Sequence, residues 1–150
     1  MTIPIEAMRD EIGGRRLPGG TITVEPHEAF IADRALRSTV EDPADAHPTW
    51  FVIASLRCLG ITVEELCALA HQGPDDTLLF GRCRIDQREP LRVGGTYEAA
   101  ATIREVATRS MRDGTRLDSV EVEVVLHGGT ESRVEAGSVT SVYLFKRGDR

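Results

Sequence analysis

Thr49-Trp50-Phe51-Val52-Ile53-Ala54-Ser55-Leu56-Arg57-Cys58-Leu59 is apolar almost all the way round when wound as a helix. A helix with that pattern is expected to be buried rather than laid on a surface. Upstream, Glu41-Asp42-Pro43-Ala44-Asp45-Ala46-His47-Pro48 reads as loop, rich in the turn formers Asp and Pro. Downstream, Gly60 interrupts the run. Thr62-Val63-Glu64-Glu65 then resembles a capping box, starting a second helical piece through Leu66, Leu69 and Ala70 that ends at His71-Gln72-Gly73-Pro74. Toward the N-terminus, residues 5–12 form a short amphipathic helix (Ile5, Met8, Ile12) stopped by Gly13-Gly14. Gly19-Gly20 opens a brief β-branched strand, Thr21-Ile22-Thr23-Val24. Pro26 suits a first helical turn, and Phe30, Ile31, Arg34, Ala35 and Leu36 continue with helical character.

The second half changes period. Residues 77–85, 96–111, 117–126 and 133–145 carry the alternation of strands, as in Val120/Val122/Val124 against Glu121/Glu123. Asp113-Gly114 and Gly128-Gly129 mark turns between them and predict an antiparallel meander with one buried and one wet face. The fold class is therefore α+β: a long antiparallel sheet wrapped on one very apolar helix, in one domain spanning residues 1–150.

Composition bounds the function. The chain has 150 residues, 41% of them apolar and 28% charged, which is ordinary for a globular domain. Its net charge of -6, with no concentration of Lys and Arg, argues against nucleic acid as a partner. No apolar run is long enough for a membrane span, and the first residues lack the pattern of a secretory signal, so a cytoplasmic protein is expected. Cys58, Cys67 and Cys83 are odd in number, lack metal-ligand spacing and sit among apolar neighbours. They read as small buried hydrophobes, and no metal is implied.

Two segments carry a resemblance to a known family. Leu78-Leu79-Phe80-Gly81-Arg82-Cys83-Arg84-Ile85, followed by Arg88-Glu89-Pro90-Leu91-Arg92-Val93-Gly94-Gly95-Thr96-Tyr97, resembles the MaoC-like hydratases and dehydratases where a strand leads into a proline-leucine-glycine segment. That family usually has Asp where this chain has Gly95. Ala46-His47-Pro48-Thr49-Trp50 resembles the small-residue-and-proline entry to the family's central helix. The resemblance spans roughly residues 20–146 by pattern. It implies a hot-dog fold, a pairing of two hot-dog units as a homodimer or a heteromer, and an acyl-thioester site at their interface.

By that resemblance the expected activity is hydration or dehydration of a 2-enoyl or 3-hydroxyacyl chain held on coenzyme A or a carrier protein, in fatty-acid metabolism. Coenzyme A or pantetheine enters as part of the substrate, with no separate cofactor. Hydration needs a base for water, an acid for the α-carbon and a donor for the thioester oxygen. In the hydratase branch an Asp and a His five residues apart do the proton work; here Asp42 and His47 have that separation. Thr49 and Trp50, at the helix entry, would polarise the carbonyl. Gly81 and Arg82 are the other substrate-binding candidates, Arg82 or Arg84 reaching a phosphate.

Each site also has a plainer interpretation. His47 caps the helix; Asp42 and Asp45 form turns; Arg82 and Arg84 lie on a solvated face; Trp50, Phe51 and Ile53 are core. His27 and His127 are expected to be exposed, and His71 to close its helix. In a rival alignment Ala46-His47-Pro48 is only the family's Ala-Pro-Pro-like helix opening, and the chain is a degenerate hot dog that completes a partner's site without performing hydration. A thioesterase, a conjugate-addition enzyme and a plain acyl-binding module are further possibilities on the same substrate class.

Overall fold

The computed structural model describes residues 2–39, 41–128 and 134–148. Among these, four helices and five strands follow one another: α1 (Ile5–Ile12), β1 (Arg16–Thr23), α2 (Pro26–Leu36), α3 (Thr49–Arg57), α4 (Val63–Leu69), β2 (Thr77–Gln87), β3 (Thr96–Ser110), β4 (Arg116–Gly128) and β5 (Val134–Lys146). The strands make one antiparallel sheet in the order β1-β3-β4-β5-β2. The expected meander holds for β3, β4 and β5. β2 departs from it, crossing to the far edge to pair with β5. The Asp113-Gly114 turn falls between β3 and β4, where Asp113 accepts the Thr115 N–H at 2.9 Å. Gly129 and Arg133 lie outside the described residues.

Alternation becomes geometry in β4 and β5. Val120, Val122, Val124 and Leu126 face inward with Val139, Tyr143 and Phe145, all buried, while Glu121 and Glu123 are half-buried on the outer face. Each such side chain removed from water contributes about 1.5–3 kcal/mol before conformational entropy is counted. α3 packs into this concave face against β5, β1 and β2. Trp50, Phe51, Ala54 and Ser55 are buried, but Val52 and Ile53 are only half-buried and Leu56 is 49% exposed. The helix is therefore covered on one side rather than all round, because a single sheet supplies a single wall.

Two close approaches seat that helix. A Cβ at Gly60, whose φ is +78°, would sit 2.6 Å from the Gly19 carbonyl oxygen, so the chain leaves α3 directly against β1. A Cβ at Gly137 would sit 2.8 Å from Phe51 Cε1, so β5 lies bare beneath the Phe51 ring. The brief strand expected at Thr21 begins earlier, at Arg16, and runs through Gly19-Gly20 with a register shift between Leu17 and Gly20. Thr62 caps α4 as expected: its Oγ1 accepts the Glu65 N–H at 3.1 Å and donates to Glu65 Oε1 at 3.3 Å.

Candidate functional site

The loop at residues 41–48 and the segment at residues 91–95, which overlap the stretches that carry the family resemblance (46–50 and 88–97), are stitched together. Ala46 N–H donates to Leu91 O at 2.7 Å and Val93 N–H to Ala44 O at 2.8 Å, bridging Asp45 and Arg92. Gly94 N–H donates in turn to Val24 O at 2.7 Å. Tyr97 folds back so that its hydroxyl accepts the Arg92 N–H at 2.7 Å. This explains Gly95: a Cβ there would meet Arg92 O at 3.0 Å and the Tyr97 hydroxyl at 3.1 Å, so an aspartate would crowd the ring. Tyr97→Phe is expected to cost about 1 kcal/mol, read from urea denaturation, because one hydrogen bond is lost while exposed Arg92 can take up water.

Within the loop, both candidate proton-transfer side chains have structural duties. Asp42 accepts the Ala44 N–H at 2.9 Å, forming a local turn, and its other oxygen lies 3.5 Å from the Arg92 guanidinium. Asp45 is bound by the same guanidinium. His47 Nδ1 accepts the Thr49 N–H at 3.1 Å, its carbonyl accepts the Trp50 N–H at 2.9 Å, and the Pro48 carbonyl accepts the Phe51 N–H at 3.0 Å. The first three N–H groups of α3 are thus consumed internally. With Nδ1 an acceptor, a neutral His47 ring carries its proton on Nε2 and keeps no free lone pair for water. Among the described residues Asp42 and His47 make no hydrogen bond to each other.

The remaining candidates separate across the sheet. Thr49 and Trp50 open the helix on the concave side, with Trp50 1% exposed and its indole N–H unpaired. Gly81 and Arg82 lie on β2, where they line a groove of about 320 Å³ on the opposite, outer face with Leu117, Ser119, Val142 and Leu144. The structure does not bring these two pairs into one pocket. Arg82 is exposed without an acidic partner among the described residues, whereas exposed Arg84 holds Asp86 at 3.1 Å.

Other expectations need correction. Cys58 is buried, and burial pushes its thiol up, but Cys67 is half-buried and Cys83 is exposed, because β2 is an edge strand with nothing packed beyond it. His27 is exposed as expected; His127 is half-buried within β4, between Glu98 and Glu135 of its neighbours. His71 follows α4 and lies 2.6 Å from Glu11. Among the described residues, no group of three or more His, Cys, Asp or Glu is placed to hold a metal ion, and no helix is long and apolar enough to cross a membrane.

Sequence expectations missed a buried charge cluster. Arg147, 3% exposed, donates to Asp118 Oδ2 at 2.8 Å, Asp76 Oδ2 at 3.0 Å and Ala70 O at 2.8 Å. Asp118 also accepts from Thr108 and Arg116, and Asp76 from the Gly73 and Gly148 N–H groups. A signal was present: Asp118 sits two residues before Val120, in the inward phase of β4, where the pattern asks for an apolar side chain.

No protein-family model matches the chain, and no curated protein matches it. Solved structures do. The HadBC (3R-hydroxyacyl-ACP dehydratase) complex of Mycobacterium tuberculosis superposes with a TM-score of 0.63 at 16% identity, over 89% of this chain and 96% of that one. The ChsH1–ChsH2 complex of the same organism gives 0.68 at 10% identity, over 97% and 90%. The fluoroacetyl-CoA thioesterase FlK gives 0.56 at 19%, over 89% and 86%. With the strand order and central helix described above, these likenesses define the class: the chain has a hot-dog fold.

Proposed function

We propose that this chain is an acyl-thioester-handling hot-dog subunit of the MaoC-like type, which completes the site of a second hot-dog chain that supplies the proton-transfer residues. Its substrate class is a 2-enoyl or 3-hydroxyacyl thioester of coenzyme A or a carrier protein. One observation carries this choice over hydration by the chain alone. The His47 ring accepts the Thr49 N–H, the His47 and Pro48 carbonyls accept those of Trp50 and Phe51, and the Asp42 carboxylate is turned to Arg92. The His47 ring keeps no lone pair for water, and the backbone N–H groups that open the helix are already engaged. The structural likeness to HadBC and ChsH1–ChsH2, both described as complexes, supports a paired arrangement.

The test is a complex of this chain with a hot-dog protein that carries the full Asp/His loop. The complex is expected to consume 2-enoyl-CoA, and His47→Ala in this chain is expected to leave that rate within about a factor of two. A fall of about 100-fold or more would instead make His47 a catalytic residue. The same substitution is expected to cost about 0.5–2 kcal/mol of stability, the ordinary loss of a helix cap, read from thermal unfolding.

A further inference from the structure

Alternation along β4 and β5 asks for polar side chains on the outer face of the sheet, and only half of that face carries them. One row across it reads Glu123, Thr140 and Arg84. Toward the start of β4, the row through Ser119 reads Ala107, Ser119, Leu144 and Leu79. Here the sheet holds a groove of about 320 Å³, floored by Ala107, Leu117, Val142 and Leu144 and lined by Arg82 and Arg109. That volume falls at the lower end of the range for small-molecule sites, about 300–1,000 Å³. Arg82 stands opposite Val142 and Arg109 opposite Leu117, and β2 and β3 flank the β4–β5 pair, so the two arginines bracket the groove. Arg57, Arg84, Arg104 and Arg116 each hold a carboxylate of this chain; among the described residues Arg82 and Arg109 hold none.

We propose that this outer groove binds a small amphipathic anion, an apolar chain that ends in a carboxylate or a phosphate. The site is separate from the helix entry, which lies on the concave side of the sheet, and it goes beyond the subunit function proposed above. Each half of such a ligand has its counterpart. A guanidinium takes a carboxylate or a phosphate through two parallel N–H donors, and Arg82 and Arg109 have theirs uncommitted to any acid. The apolar chain covers Leu117, Val142 and Leu144, which stand where the alternation calls for polar residues. A neutral apolar molecule would leave both cations unused, and a purely polar anion would leave the floor of the groove wet. Glu121, the nearest acidic neighbour in register with Val142, faces the polar half with Arg84 and Arg104 and is not part of the groove lining.

Isothermal titration of the full chain with octanoate, octyl phosphate, 1-octanol and free coenzyme A tests this, beside the double variant Arg82→Gln/Arg109→Gln. Both sites are exposed, and a thermal melt checks that the variant folds. Octanoate or octyl phosphate is expected to bind one per chain with Kd of about 100 µM or tighter, and the tighter of the two names the head group. Octanol is expected to bind at least about tenfold more weakly, and the double variant to lose at least about tenfold for the anion and nothing for octanol. Trp50, the single tryptophan, is buried on the concave side, so its fluorescence is expected to stay unchanged at saturation. The proposal is overturned if neither anion binds below about 1 mM, or if octanol binds as well as they do. It is equally overturned if the double variant binds like wild type, if Trp50 fluorescence moves with saturation, or if free coenzyme A displaces the anion. The readout is binding by the chain alone, so failure here is distinct from failure of the subunit function, which enoyl-CoA turnover decides.

Discussion

Arg147→Ala is expected to lower the unfolding free energy by about 3–5 kcal/mol. That is a large fraction of the roughly 5–15 kcal/mol that holds a domain of this size together. The guanidinium is buried between two carboxylates that are themselves buried, at 2.8 Å from Asp118 and 3.0 Å from Asp76, and it also satisfies the Ala70 carbonyl. With Arg116 beside Asp118, the cluster has two cations and two anions, so its charges balance. Removing Arg147 leaves two desolvated carboxylates sharing one cation and an orphaned carbonyl. Arg147→Lys is expected to recover only part of the loss, since a single ammonium does not span three acceptors as the planar fork does. Urea denaturation measures both, and a loss below about 1 kcal/mol for alanine would show that the cluster is not a structural centre.

The cluster also sets an acid limit. Burial alone would raise the Asp76 carboxyl, but the Gly73 and Gly148 N–H groups and the Arg147 guanidinium together hold it below its ordinary 3.8. Its folded value is the lower one, so the stability it contributes is complete above pH 3.8. It is lost as pH falls through that lower folded value. Asp76→Asn is expected to remove this part of the acid dependence, as measured by denaturant midpoints at successive pH values.

Phe51→Ala is expected to cost about 3–5 kcal/mol, the range for removing a large buried aromatic side chain. Phe51 is 1% exposed and rests on β5, where Gly137 makes room for the ring. The backbone at that point is held on both sides, since a Cβ at Gly137 would also lie 2.5 Å from the Asp86 carbonyl. The wall therefore has little freedom to collapse, which places the cost toward the upper end of the range. Leu56→Ala, half-exposed on the same helix, is the control and is expected to cost far less. Equal losses at the two positions, measured by chemical denaturation, would mean that α3 is covered on a side now described as open.

Elements whose signals are local were legible in the chain. The stops at Gly13-Gly14, the cap at Thr62, the proline at the start of α2 and the Val/Glu alternation of β4 all fell where their chemistry requires. What depends on distant partners was not legible. Whether β2 pairs with β3 or β5 is a choice between two long-range neighbours that alternation within β2 does not encode. The same edge position exposes Cys83, which stands between Arg82 and Arg84, against the burial expected of a small apolar side chain. The apolar run of α3 identified a buried helix but not how many walls would cover it. At the site, sequence held base and cap open for His47, and only the direction of its Nδ1 toward Thr49 distinguishes the two duties. Arg147 lies beyond the last alternating stretch, where no local pattern marks it as buried; its burial follows from Asp76 and Asp118, which are far from it in sequence.

The measurement that bears most directly on the proposed function is turnover of short, medium and long 2-enoyl-CoA esters by the purified chain alone, beside His47→Ala. With the ring lone pair held by the Thr49 N–H and the next two helix N–H groups held by backbone carbonyls, neither protein is expected to consume the enoyl absorbance above the uncatalysed rate. Wild-type turnover that falls by about two orders of magnitude or more in His47→Ala would contradict this and make the chain a hydratase in its own right.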